Sequence, residues 1–407
     1  MEHFSKSSHL PVSCEEAFLW HTRPGALERM LPPWMPTRII STTGGIHNGS
    51  VIHVQTSVGP VKFNFKVVHQ NYVENVQFAD TQIQGPFRSW HHIHRFESYG
   101  HEKSKITDEI AYELPLKFFT SWMARSFVEK KLEHMFTFRH RTLINDLYLH
   151  SKYSKQKLKI LVTGSNGFVG KELVHFLMSG GHTVLTLQRK KPTNAESTSS
   201  VYWNESTQSI ENPSAAENLD GVVHLAGENI AAKKWTEERK QALLESRVQF
   251  TKNLCDALLQ LKNPPKTFIC ASGIGYFGAR QSEEICHEDS HPGEGFLAEL
   301  AQQWEQASNS LKKTNIRVAH LRFGSILSSG GGVLQKMILP YKLFLGGVSE
   351  ERHKNLRRLF NNLAIHLLIA IGTFAVYHAI SHMNVEDNHP MLRLGSYIGL
   401  MSVISWC

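Results

Sequence analysis

A chain of 407 residues has room for two domains with sizeable cores, and its 41% hydrophobic and 20% charged content falls in the globular range. The net charge of +8 is diffuse, without runs of Lys/Arg interleaved with aromatics, so it suits small anionic molecules and argues against nucleic acid as a partner. The five cysteines (Cys14, Cys255, Cys270, Cys286, Cys407) are widely spaced and form no C-x-x-C, which excludes a disulfide frame or cysteine zinc site and fits reduced thiols in the cytoplasm. The N-terminus has no apolar signal region, and export is not expected.

The first 150 residues open with a strand-like HFSKSSHLPV. Ser13 with Glu16 three residues later forms a capping box, so a short helix is expected to start there. Period-2 stretches follow in SVIHVQTSV, VKFNFKVVHQ, VQFADTQIQ and RSWHHIHRFESY, which read as an antiparallel meander. From about Phe118 to Leu149 the pattern becomes that of a long amphipathic helix, with Phe127, Leu132, Phe136, Leu143 and Leu147 among its apolar positions. Together these elements describe an α+β helix-grip fold. His92 and His94 share one face of a strand, with His91 on the other, and a His-x-His pair can chelate a metal. No carboxylate or cysteine nearby in sequence completes a ligand set, so no metal is expected; Phe87, Trp90 and Trp122 read as core or pocket lining.

The segments LPVSCEEAFLWHTRPGALERMLPPW, GPFRSWHHIHRF and KKLEHMFTFRHRTLINDL resemble the START-like polyketide cyclase superfamily. The resemblance implies a sheet wrapped around the long helix, with an apolar cavity for a hydrophobic ligand.

Residues 151–157 (SKYSKQK) are polar and read as a linker. The stretch Leu158–Gly170, LKILVTGSNGFVG, follows: a buried strand, a glycine turn and the start of a helix that stops at Gly180-Gly181, with a second strand in HTVLTLQRKK. That unit sets a pyrophosphate on a helix N-terminus. Gly164 permits the tight turn, Gly167 lets backbone N–H groups approach the phosphates, and Gly170 lets helix and strand pack; Ser165, Asn166, Phe168 and Val169 complete the expected cofactor loop. At the end of the second strand, where a carboxylate would accept the ribose 2′-hydroxyl of NAD, stand Gln188-Arg189-Lys190-Lys191. Arg189 can pair with a 2′-phosphate, so NADP is favoured over NAD.

Another buried strand ends in His224-Leu225-Ala226-Gly227, and Leu225, Ala226 and Gly227 are expected beside the adenine end of the cofactor. A helix capped by Thr236 carries Arg247, a candidate cofactor or ion-pair residue. TFICASGIGYFG gives a strand with Ser272 at its end and Tyr276 just beyond, and GFLAELAQQWEQAS and NIRVAHLRFGSIL supply the next helix and strand. The βα alternation predicts a doubly wound parallel (Rossmann) sheet over 158–349.

TGSNGFVG, HLAGENIAAKKWTEERKQALLESRV, ASGIGYFG, FLAELAQQWE and GGGVLQKMILPYKLFLGG resemble the atypical, epimerase-like short-chain dehydrogenases of the nucleoside-diphosphate-sugar epimerase type, a family also found fused behind a START-like domain. Members use Tyr-x-x-x-Lys, in which the lysine lowers the tyrosine pKa for proton transfer. The corresponding helix here reads Phe296-Leu297-Ala298-Glu299-Leu300-Ala301, with neither residue. Ser272 would then hold a substrate carbonyl or hydroxyl and Tyr276 would stand in for the missing acid, with Glu228 a further polar candidate.

After Gly346-Gly347 the resemblance stops, and the substrate-side lobe of the family is expected to be missing. Residues 350–407 instead carry an apolar run, Leu363–Ile380, an acidic loop and a second apolar run ending at Cys407. Three readings stay open for this tail: a membrane hairpin, which would hold the enzyme-like part on the cytoplasmic face of the inner or plasma membrane, a buried replacement helix pair, or a tail from a shifted frame. Three functions follow: an NADP-dependent oxidoreductase or epimerase-like enzyme for a small molecule, a non-catalytic NADP-binding sensor or ligand carrier, and a membrane-tethered interaction protein.

Overall fold

The computed structural model describes residues 1–58, 61–114, 122–154, 156–189, 199–280 and 285–342. The tail from 350 to 407, with its expected apolar hairpin, lies outside the described residues. Among the described residues no helix is long and apolar enough to cross a membrane. The chain divides into two units, one of Met1–Lys155 with His175–Gly181, the other of Gln156–Val174 with the chain from His182 on.

In the first unit the order is β1 (Glu2–Leu10), α1 (Cys14–Thr22), α2 (Ala26–Arg29), β2 (Thr37–Thr42), β3 (Val51–Val58), β4 (Val61–Val73), β5 (Gln77–Gln84), β6 (Ser89–Ser98), β7 (Ser104–Glu113) and α3 (Trp122–Tyr153). The strands form one antiparallel sheet in the order β1-β7-β6-β5-β4-β3-β2. Ser13 caps α1 as its spacing predicts, its hydroxyl accepting from the Glu16 N–H at 3.3 Å. The α3 helix runs to Tyr153, into the stretch that composition assigned to the linker. Of the apolar positions along it, Leu132, Phe136, Leu143 and Leu147 are buried and Phe127 is 54% exposed. Asp146, also on α3, takes two 2.8 Å hydrogen bonds from Arg29 of α2, a forked pair that fixes the short helix against the long one.

The second unit runs β8 (Lys159–Thr163), α4 (Phe168–Ser179), β9 (Thr183–Gln188), β10 (Ser200–Asn204), β11 (Ser209–Ile210), β12 (Gly221–His224), α5 (Glu237–Leu244), a π-turn (Glu245–Gln249), α6 (Phe250–Leu259), β13 (Thr267–Gly273), α7 (Phe296–Gln306), β14 (Arg317–Phe323), β15 (Leu327–Ser328) and α8 (Gly332–Lys342). The sheet order is β11-β10-β9-β8-β12-β13-β14, parallel except where β11 folds back on β10. The chain winds outward from β8 in one direction through β9 and β10, then returns to lay β12, β13 and β14 on the other side. The carboxyl ends of β8 and β12 therefore flank the switch point, where such sheets leave a crevice. Ile160, Leu161 and Val162 of β8 are fully buried, as a strand covered on both faces requires. Leu161, Val222, Leu254, Leu258, Phe268 and Trp304 belong to one core cluster.

Candidate functional site

The glycine turn sits at the switch point and closes as its spacing requires. Gly164 adopts φ +68°, and a Cβ there would lie 2.7 Å from the Leu225 carbonyl carbon and 2.8 Å from the Ala226 nitrogen. A Cβ on Gly170 would lie 2.2 Å from the Gly164 oxygen. The turn is thus pressed against the end of β12 on one side and the first turn of α4 on the other, and a side chain at either glycine would fill that space. Gly167 donates to the Gly164 carbonyl at 2.9 Å, and Asn166 and Gly167 remain exposed. Phe168 and Val169 begin α4; the Phe168 ring stands against Gly331, where a Cβ would meet it at 2.7 Å.

At the end of β9, Gln188 is tied into the turn: its amide donates to Ser165 Oγ at 3.1 Å and its carbonyl oxygen accepts from Asn166 Nδ2 at 3.1 Å. Arg189 follows it, exposed. On the other flank the Leu225 N–H donates to the Thr163 carbonyl and the Ala226 N–H to Thr163 Oγ1, both at 3.2 Å. His224 is fully buried between two hydroxyls, with Nδ1 2.7 Å from Thr163 Oγ1 and Nε2 2.8 Å from Thr251 Oγ1. Burial pushes this imidazole down to about 3, so it is neutral at every ordinary pH. The Trp304 indole donates to Thr251 at 3.0 Å and ends the chain of bonds.

Arg247 lies in the π-turn, 6% exposed, with its guanidinium against Gly227: a Cβ there would meet Cζ at 3.2 Å. Its Nη2 donates to the Glu228 carbonyl at 2.8 Å, its Cζ sits 5.0 Å from the Trp304 ring, and Nε has no hydrogen-bond partner among the described residues. Burial and neighbouring Arg239 lower it to about 10. Arg247 and Arg239, which bonds Glu228 Oε2 at 3.1 Å and the Asn229 carbonyl at 2.6 Å, pin the loop after β12. Gly164–Gly170, Gln188, Leu225–Gly227 and Arg247 are therefore joined in one connected cluster.

Ser272 closes β13 and Tyr276 lies just beyond it, as the sequence places them, and both are tied to neighbours within the fold. The Ser272 hydroxyl is buried and donates to Glu305 Oε1 of α7 at 2.7 Å. Glu305 also accepts two 2.8 Å bonds from Arg322 of β14; despite its burial, Arg322 and Ser272 hold its carboxyl below the usual range. The Arg322 guanidinium in turn lies 3.5 Å from the centre of the Tyr276 ring. Ser272 and Tyr276 thus meet through Arg322 and Glu305, and the serine hydroxyl is engaged within the fold. Glu228 is exposed and paired with Arg239.

In the first unit the expectation that no carboxylate lies near His92 and His94 is corrected. Sheet register sets Asp80 of β5 opposite His92, and Asp108 of β7 opposite His94. His92 is 2% exposed, with Nδ1 3.1 Å from Asp80 Oδ2 and Nε2 2.9 Å from Asp108 Oδ1. Burial opposes its charge, but the two carboxylates outweigh that and hold His92 up to about 9. His94 Nε2 lies 3.5 Å from Asp80 Oδ2 and its Nδ1 2.6 Å from Asp108 Oδ1. His140 of α3 closes on Asp108 Oδ2 at 2.5 Å. His91 points to the other face, its Nδ1 2.8 Å from Thr81 Oγ1. Sequence spacing showed the His-x-His pair; its partners come from two other strands and one helix.

A doubly wound sheet with a glycine turn at its switch point defines a dinucleotide-binding domain, here following an antiparallel helix-grip unit. The family described as NAD dependent epimerase/dehydratase matches residues 160–342, and that described as polyketide cyclase / dehydrase and lipid transport matches residues 10–138. The chain is similar to the epimerase family protein ML0860 of Mycobacterium leprae, 31% identical over 225 residues that make up 55% of this chain and 70% of that protein. Epimerase family protein Mb2239 of Mycobacterium bovis is 34% identical over 187 residues, 46% of this chain. The solved nucleoside-diphosphate sugar epimerase from Corynebacterium glutamicum matches with a TM-score of 0.69 at 28% identity, over 85% of this chain and 71% of that one. The chain belongs to the NAD-dependent epimerase/dehydratase family and carries a polyketide cyclase/lipid-transport domain ahead of the epimerase part. It spans 60% of the length of Mb2239.

Proposed function

We propose that the second unit binds NADP(H) and belongs to an oxidoreductase or epimerase-like enzyme acting on a small molecule, with a hydrophobic ligand received by the first unit. The observation that carries this reading is the turn itself: Gly164 and Gly170 leave no room for a side chain, and the strand that should offer a carboxylate to an NAD ribose ends in Gln188, with Arg189 directly after it. Gln188 is spent on Ser165 and Asn166, which leaves Arg189 as the group for a 2′-phosphate. The cofactor, when bound, would supply the hydride acceptor or donor. The residues of this chain would hold its diphosphate on the N-terminus of α4 and keep the loop after β12 in place through Arg247 and Arg239.

Calorimetric titration of the full chain with NADPH and NADH tests the reading. NADPH should bind the more tightly, and Arg189→Glu should weaken it by about 1.5–3 kcal/mol, or roughly 10–100-fold, the range of a hydrogen bond to a charged group. Equal affinity for the two cofactors, or no binding of either, sinks the proposal.

A second reading, a non-catalytic NADP-binding sensor or carrier, draws on α7, which offers no Tyr-x-x-x-Lys, and on the engagement of Ser272 with Glu305. It predicts cofactor binding without turnover, so NADPH oxidation with any candidate carbonyl substrate decides against it.

A further inference from the structure

The His92–His94 cluster holds more donors than a buried fold needs for packing. A neutral imidazole has one N–H to give and one lone pair. His92 turns Nε2 to Asp108 Oδ1, and His94 brings Nδ1 to 2.6 Å from the same oxygen. The opposite nitrogens, His92 Nδ1 and His94 Nε2, then face Asp80 Oδ2 at 3.1 and 3.5 Å. With both rings neutral, three electron-pair donors would confront one another in that arrangement, and one donor atom from each residue lies within 4.8 Å of the others. Bonds of about 2.0–2.2 Å from a metal to nitrogen or oxygen give polyhedron edges of about 3.0–3.5 Å, the separations found around Asp80 Oδ2.

The geometry points to a site for one divalent first-row transition-metal ion, of the zinc or ferrous type, held by Asp80 Oδ2, His92 Nδ1 and His94 Nε2. Two imidazoles and one carboxylate suit such an ion, whereas calcium and magnesium need more oxygens and soft copper(I) needs sulfur. Asp108 is the outer carboxylate behind both rings: its Oδ1 accepts a hydrogen bond from His92 Nε2, as metal-bound histidines require, and lies beside His94 Nδ1. It is itself held by His140, whose Nδ1 lies 2.8 Å from Ser8 Oγ. Asp80 is anchored by the Trp90 indole, which reaches Oδ1 at 3.4 Å. Three protein donors leave at least one coordination position open. That position would take an oxygen of a molecule bound in the first unit, and it depends on nothing in the dinucleotide site.

The test is a titration of the full-length chain, stripped with chelator, with Co²⁺ alone. One equivalent should bind and develop visible d–d bands, X-ray absorption should show two imidazole scatterers, and Zn²⁺ should displace the colour. Asp108→Asn should weaken binding by about 10–100-fold, the cost of removing an outer-shell partner. His94→Ala should abolish the bands, and His91→Ala, on the opposite face of the strand, should keep them. Absence of a stoichiometric equivalent in the unmutated chain, oxygen-only scattering, or bands that survive His94→Ala would overturn the site and leave His92 as an imidazolium bridging two carboxylates. The spectra of the unmutated chain give the answer even where a variant fails to fold.

Discussion

Gly170 illustrates how little freedom a single position in the turn retains. An added methyl group would sit 2.2 Å from the Gly164 oxygen and 2.9 Å from Ser165 Cα, both backbone atoms that yield only if α4 or the turn moves. Gly170→Ala should cost about 1–3 kcal/mol by overpacking. It should also remove dinucleotide binding, with urea unfolding and calorimetry as the two measurements. His224 supports a second prediction at this scale. Its folded pKa of about 3 lies below the 6.5 of a free imidazole, so the folded state resists a proton that the unfolded chain accepts. Its contribution to stability is complete above pH 6.5 and is lost as pH falls from there toward 3. The slope is about 1.4 kcal/mol per pH unit for one proton. Urea midpoints at a series of pH values should show a shallower decline in His224→Gln than in the unmutated chain; equal slopes would contradict the assignment.

Between elements, the decisive contacts are polar ties across strands and helices. Glu305 of α7 binds both Arg322 of β14 and Ser272 of β13, so one carboxylate joins three elements. Arg322→Leu strands that half-buried charge and should destabilise the second unit by about 3–5 kcal/mol. Ser272→Ala removes one hydrogen bond to a charged group and should cost about 1.5–3 kcal/mol. Denaturation of the two variants checks the order; a larger loss for Ser272→Ala would refute it. The glycine turn and the strands around it were legible because their signal is local: an apolar run, three glycines at fixed offsets, a helical period. The strands β2 and β7 were not. The inward face of β7 carries Ser104, Ile106, Asp108, Ile110 and Tyr112, and its two polar members hide the alternation that marks a strand. That same Asp108 is what makes the histidine pair a cluster. Its approach to His94 is a matter of register between β6 and β7, which no spacing within one segment encodes. The tie of Ser272 to Glu305 escaped the sequence for the same reason: its partner lies 33 residues on, in a helix whose face the sequence pattern did not fix.

For the whole molecule, separate hydrophobic clusters serve the two units, one with Leu161, Val222 and Phe268, another with Phe18, Trp20 and Leu143. A scanning calorimetry trace should therefore resolve two transitions. NADPH at a hundred times its Kd should raise the stability of one by about 2.7 kcal/mol, while Co²⁺ acts on the other. A single transition shifted equally by both would contradict the assignment of the two ligands to separate units.

The π-turn at Glu245–Gln249 carries a consequence for insertion and deletion along this chain. A π-turn holds one residue more than the α-helix it interrupts. Deleting one amino acid there would restore the regular pitch and leave the residues on either side close to their present phase, because the wider turn absorbs the surplus residue within itself. Leu254 and Leu258 would keep their place on the hydrophobic interior, while Arg247, inside the turn, would lose its line to the Glu228 carbonyl. The surplus residue is what lets one continuous helical run face the sheet with its leucines and the nucleotide loop with its arginine, and a shortened chain should forfeit one of the two.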